Sequence, residues 1–120
     1  MLEDLKPRLG ELKEKLDNMG NSLEIPVKEE KIAELEYKMG EPTFWDDAEA
    51  AQKINQELAD LKSGVDKYKE LVGKHEDAET LLEMGLEEDD QSMEEDIKAV
   101  LDEVAEGLEA LQLEVLLPCL

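Results

Sequence analysis

Apolar residues open the chain at Leu2, Leu5, Leu9, Leu12, Leu16 and Met19, in alternating steps of three and four that place them in one stripe along a helix. Pro7 fits that helix only in its first turn, where a missing backbone N–H costs nothing. The run NMGNSLEIP, from Asn18 to Pro26, joins the glycine and asparagine of a helix stop to an X-Pro step that disfavours helix at Ile25, so it predicts a turn. A short second helix follows over Lys28–Met39, with Ile32, Leu35 and Met39 inward and Gly40 as its stop. The longest periodic segment carries Ile54, Leu58, Leu61, Val65, Tyr68, Val72 and His75, extended by Leu82. It predicts one helix over Asp47–Glu83, roughly 55 Å long at 1.5 Å per residue. Gly64 and Gly73 weaken it by up to ~1 kcal/mol each relative to alanine, which allows a bend or fray near Gly73. Gly85 reads as the next stop, and Ser92 with Glu95 three residues on has the form of a capping box. A last helix then aligns Met93, Ile97, Val100, Val104, Leu108, Leu111 and Val115 and ends by Pro118.

No segment alternates with the period of two that a half-buried strand requires, and β-branched residues are sparse and scattered. The class is all-α. Long helices with narrow apolar stripes and short polar turns pack as an antiparallel bundle or hairpin with coiled-coil character, here of three or four helices, two of them long.

Between the second helix and the long one lies GEPTFWDDAEAAQ, from Gly40 to Gln52, which holds half of the four aromatic residues. Pro42 ends the preceding helix. Asp46 stands directly before the long helix with Glu49 three residues later, the pairing of a capping box, and Asp47 adds negative charge at the positive end of the helix dipole. Phe44 and Trp45 then fall at the top of the bundle, where flat side chains would close the apolar stripe against water. The alternative use of the rings is to stack on a ligand.

Charge changes the picture more than length does. At 120 residues and 41% hydrophobic, the chain is of one-domain size with a modest core. Its 34 Asp and Glu against 13 Lys and Arg give a formal net charge of -21. Such a surface repels phosphate, which argues against nucleic acid or an anionic membrane as the principal contact and for basic protein surfaces. One cysteine, Cys119, excludes an internal disulfide, and neither a signal peptide nor a membrane span is expected, so the reading is cytoplasmic.

Candidate chemistry is thin. Nucleophilic or acid–base catalysis needs a base with a pKa near neutrality, and the sole histidine, His75, lies on the apolar stripe of the long helix, as a partly buried structural residue would. HEDAE departs from the zinc motif H-E-x-x-H by Glu79 at the second histidine. In the acidic run Glu87–Asp96, a calcium loop starting at Asp89 would have Glu94 where glycine belongs and Val100 where the bidentate glutamate belongs. The seven glycines stand singly, so no phosphate loop forms. No cofactor, metal or small-molecule ligand is implied, and the chain reads as no enzyme.

The succession KIAELEYKMGEPTFWDDAEAAQKINQELADLK, with SLE upstream, closely resembles the N-terminal helical domain of bacterial peptide chain release factor 2. The elements carrying the likeness are Leu23 and Glu24 before the short helix, P-x-F-W-D-D at Pro42–Asp47, and Ala51 with Gln52 opening the long helix. YKEL at Tyr68–Leu71, AETLLEMGLEEDD and LEALQLEVLL are also similar, so the likeness extends to about Leu117. The complete factors continue into a codon-reading domain with Ser-Pro-Phe and a loop with Gly-Gly-Gln that promotes hydrolysis of peptidyl-tRNA; neither motif occurs in these residues. Pro118, Cys119 and Leu120 do not resemble the family's passage into the next domain.

The resemblance implies an acidic helical domain over residues 1–117 with a tail at 118–120, an isolated first domain or the product of a truncation. It implies a role in translation termination, as a non-catalytic docking module at the ribosomal factor-binding centre near the stalk base of the large subunit. The partners would be basic ribosomal proteins and the release-factor domains not contained in these residues. The competing reading is a free-standing acidic coiled-coil adaptor, or an anti-association protein that mimics nucleic acid. Charge singles out the docking candidates. From Leu81 onward there are thirteen acidic residues and one lysine, Lys98, whereas the first forty residues hold ten acids and seven bases. Glu87, Glu88, Asp89 and Asp90, in a solvated turn, are the residues expected to face a basic partner.

Overall fold

The computed structural model describes residues 1–116. Leu117 and the tail Pro118, Cys119 and Leu120 lie outside the described residues, and so do the expectations placed on them. A 3-10 turn at Leu2–Leu5 leads into α1 (Lys6–Leu23), followed by α2 (Ile25–Met39), a 3-10 turn at Phe44–Asp46, α3 (Ala48–Glu87), a 3-10 turn at Gln91–Met93 and α4 (Glu94–Leu116). Among the described residues there is no strand, in agreement with the all-α reading.

Helix α3 is the spine, in contact with all three other helices. Its C-terminal half lies between α1 and α4, which both run antiparallel to it. Pairs in fixed register show this: Leu2 against Gly85 and Tyr68 against Gly20 for α1, Leu71 against Gly107 and Lys74 with Glu103 at 3.1 Å for α4. Towards its N-terminus it pairs mainly with α2, again antiparallel, in a register marked by Lys69–Glu29 at 2.8 Å and Lys62–Glu36 at 2.9 Å. These ion pairs are exposed and each contributes only about 0–1 kcal/mol, so they report the register more than they hold it. The result is a rod of 62 × 28 × 19 Å, three helices thick at one end and two at the other.

The main core gathers the stripes of α1, α4 and the C-terminal half of α3: Leu9, Leu12, Leu16, Leu82, Leu101 and Val104 are among its buried members. The expected stripe of α3 is too narrow, because a helix between two partners needs two apolar faces. Leu71 and Ala78 supply the second and are buried. Leu101 plays the same part in α4, fully buried where the periodic reading had Val100, which is half-buried, and Val115 is exposed.

Two side chains of α3 reach the backbone of α1. The Tyr68 hydroxyl donates to the Leu16 carbonyl at 3.1 Å, and Nε2 of His75 meets the Leu9 carbonyl at 2.8 Å. His75 is therefore more than partly buried; it is 3% exposed, with a backbone partner that makes its burial tolerable. Burial raises the Tyr68 pKa above its ordinary value.

The helix boundaries correct the sequence reading in three places. The turn expected over Asn18–Pro26 is a single residue, Glu24, in left-handed conformation (φ 51°), and α2 begins at Ile25 with Pro26 in its first turn. Gly20 does not stop α1. It lies inside the helix, where a Cβ would collide with the Tyr68 hydroxyl. Gly85 is likewise interior and buried, beneath the Leu2 side chain, so α3 runs on to Glu87, uninterrupted at Gly64 and Gly73. The stop is Asp89, left-handed at φ 52°. The Asp90 N–H returns to the Gly85 carbonyl at 2.8 Å and that of Asp89 to Leu86 at 3.3 Å, the two bonds of a Schellman motif with aspartate in the usual place of glycine.

The contact between Gly20 and Tyr68 yields a paired expectation. Tyr68→Phe should cost about 1 kcal/mol for the lost hydrogen bond, and Gly20→Ala about 1–3 kcal/mol for forcing the ring aside. Urea unfolding of the double variant should show a loss smaller than the sum, since both changes break the bond to Leu16; strict additivity would mean that the glycine does not seat the tyrosine.

Candidate functional site

The expected site residues lie at the two ends of α3, separated by the length of a 40-residue helix, about 60 Å at 1.5 Å per residue. They form two separate surfaces.

At the two-helix end, α2 finishes at Met39 and the chain crosses to α3 through Gly40–Asp47. The Phe44 N–H donates to the Glu41 carbonyl and that of Asp46 to Thr43, both at 3.1 Å, closing a 3-10 turn around the two aromatics. Their rings meet edge to face, centroids 4.8 Å apart and planes at 86°. Phe44 is half-buried, but Trp45 is 58% exposed. The tryptophan does not close the bundle. With only α2 and α3 at this end, no third helix lies over the ring, and the seal is made lower down by Leu35, Ala51 and Leu58. Pro42 is exposed in the same crossing.

The helix cap also differs from expectation. Asp46 is taken into the 3-10 turn, which leaves Asp47 in the extended conformation of an N-cap, its Oδ1 accepting from the Ala50 N–H at 3.1 Å. Glu49 stands in the first helical turn, where its charge suits the dipole.

At the three-helix end, Glu87, Glu88 and Asp89 are exposed and Asp90 is half-buried. Asp90 has a structural duty: its Oδ1 accepts from the Ser92 hydroxyl at 2.5 Å and from the Ser92 N–H at 3.0 Å, starting the turn that leads to α4. Those bonds, the hydroxyl's first, hold its pKa below the ordinary carboxylate value. The cap expected of Ser92 and Glu95 is thus made by Asp90. Glu87 and Glu88 have no such duty. They stand at the C-terminal, negative end of the α3 dipole, with no basic residue in the last turn, where carboxylates are unfavourable.

Neither end assembles catalytic machinery. His75 is engaged with Leu9 in the core. Among the described residues no group of three His, Cys, Asp or Glu side chains could hold a metal ion, and no helix is long and apolar enough to cross a membrane. A groove of about 400 Å³ lies between α1 and α4, floored by Leu12, Met19 and Leu108, with Lys15, Ser22 and Glu109 also lining it.

The family described as PCRF domain matches residues 28–119. A protein of Exiguobacterium sp. named peptide chain release factor 2 is 39% identical over 116 residues, which cover 97% of this chain and 32% of that protein. One of the same name from Clostridium perfringens is 38% identical over the same extent, and one from Petrotoga mobilis 32% identical over 114 residues, 95% of this chain and 31% of that protein. The chain thus spans about a third of the length of the curated relatives it matches.

The exposure of Trp45 sets an expected cost. Trp45→Ala should lower stability by about 1 kcal/mol, the edge-to-face contact with Phe44, whereas Leu35→Ala, from a position 2% exposed, should lose about 2–5 kcal/mol. Thermal melts of the two variants compare them directly, and equal losses would return the tryptophan to the core.

Proposed function

The chain belongs to the PCRF domain family, and on that premise we propose that it is the N-terminal helical domain of a peptide chain release factor, acting in translation termination in the cytoplasm. The match over residues 28–119 carries the reading, supported by relatives of one name that align along nearly the whole chain. Residues 1–117 act as one acidic domain. Its work is docking without catalysis: the 120 residues contain neither Gly-Gly-Gln nor Ser-Pro-Phe. The domain seats the factor at the ribosomal factor-binding centre near the stalk base of the large subunit, against basic ribosomal proteins.

Glu87, Glu88, Asp89 and Asp90 are the contact we assign to that docking. Glu87 and Glu88 oppose the helix dipole, so folding alone gives little reason for their charge, while Asp89 and Asp90 also serve the turn. Attraction to a basic partner would speed encounter and fade with salt, since screening shortens the field to about 10 Å at 0.1 M.

Substituting Glu87→Gln, Glu88→Gln, Asp89→Asn and Asp90→Asn together removes the charge and keeps the shape, because asparagine tolerates the left-handed position and retains a cap acceptor. Association with purified large subunits, followed across a salt series, should show a slower on-rate and a shallower salt slope for this variant. Identical rates and slopes would leave the acidic turn without a docking role.

The chain should also release no peptide from ribosomes stalled at a stop codon, at any concentration, and should compete weakly with a complete factor. Stop-dependent release above the background without factor would overturn the non-catalytic assignment.

A further inference from the structure

The two-helix end shows a surface that the docking role of the acidic turn does not use, since it lies at the other extremity of α3. Trp45 is the sole tryptophan of the chain, and it is held out in solvent, its ring fixed against Phe44. Tyr37, in the last turn of α2 at the same end, is 78% exposed. Burial gives no reason for either ring. A preformed aromatic surface loses little conformational freedom on binding, which is why tryptophan and tyrosine dominate the energetics of contact sites.

Charge selects the occupant. From Met39 to Gln52 the chain carries Glu41, Asp46, Asp47 and Glu49 and no lysine or arginine, and all four carboxylate residues are exposed. A nucleobase could stack on the tryptophan but would bring its phosphate into this negative field. A guanidinium satisfies both features at once. Its planar cation is attracted to the face of the indole, more strongly than to other aromatic rings, and its N–H groups match a neighbouring carboxylate in a fork. Lysine, a compact and strongly hydrated charge, uses the face less well. We infer that the Phe44–Trp45 turn, with Glu41 and Asp46 beside it, is a receptor for an arginine side chain presented by a basic protein segment.

Because Trp45 is the only tryptophan, its fluorescence reports occupancy of this end alone. The peptide Gly-Arg-Gly-Arg-Gly, titrated into the full chain at low salt, should change that fluorescence saturably and should bind several-fold more tightly than Gly-Lys-Gly-Lys-Gly. By calorimetry, Trp45→Ala should weaken the arginine peptide by roughly three- to tenfold, the range of a partly desolvated cation–π contact. Asp46→Asn with Glu41→Gln should weaken it in the same direction. The fourfold neutral variant at Glu87–Asp90 should keep the ratio between wild type and Trp45→Ala, so failure of the docking role at that end is read separately. Equal affinity of wild type and Trp45→Ala would overturn the inference, as would equal affinity for the two peptides. So would a saturable fluorescence change with a short single-stranded RNA of comparable affinity, which would make the rings a base-stacking site. A dimer in sedimentation that Trp45→Ala dissociates would show the occupant to be a second copy.

Discussion

The arrangement depends on the register of α1 against α3, and two hydrogen bonds set it. Tyr68 reaches the Leu16 carbonyl and His75 the Leu9 carbonyl, seven residues apart on each helix and in opposite directions along the chain. An apolar stripe alone would tolerate a slip by a turn, since leucine meets leucine in either setting. A polar group inside the core cannot slip, because an unpaired buried donor or acceptor costs about 1–3 kcal/mol. Gly20 and Gly85 mark the same register at the two ends, each making room for one side chain of the facing helix. With α1 fixed, α4 has one remaining face of α3 to occupy, and the Leu71 side chain over Gly107 determines where it sits.

This explains which parts of the fold were legible in the sequence. Stripes of three-four spacing reveal a helix and its buried face, so all four helices and most of their inward residues could be read. Boundaries could not, because glycine has two uses that local pattern does not separate. Gly20 and Gly85 look like stops and are points of close approach. The real breaks are Glu24 and Asp89, residues with a Cβ in the left-handed region, where glycine is the usual occupant. That cost, of order 1–2 kcal/mol for a residue with a Cβ, is met by tertiary contacts that a linear reading does not contain.

The candidate site divides in the same way. The acidity of Glu87–Asp90 is a property of composition and was visible at once, whereas the structural duty of Asp90 toward Ser92 required knowing where α3 ends. The reading of Trp45 failed for a reason of thickness. A tryptophan beside a helix start closes a bundle only if a further helix covers it, and here α1 and α4 flank only the far half of α3.

The sequence separation of the α1 contacts shapes how the chain reaches this state. Leu9 waits for His75, 66 residues later in the chain. During synthesis at about 5–20 residues per second, that interval is roughly 3–13 s, in which the Leu9 carbonyl lacks its histidine partner. The helices α2 and α3 can pair as a hairpin as soon as both emerge, and α4 can then fold back on α3. The burial of the α1 stripe is thus completed only once α3 and α4 have both been made, and until then its leucines remain partly uncovered apolar surface.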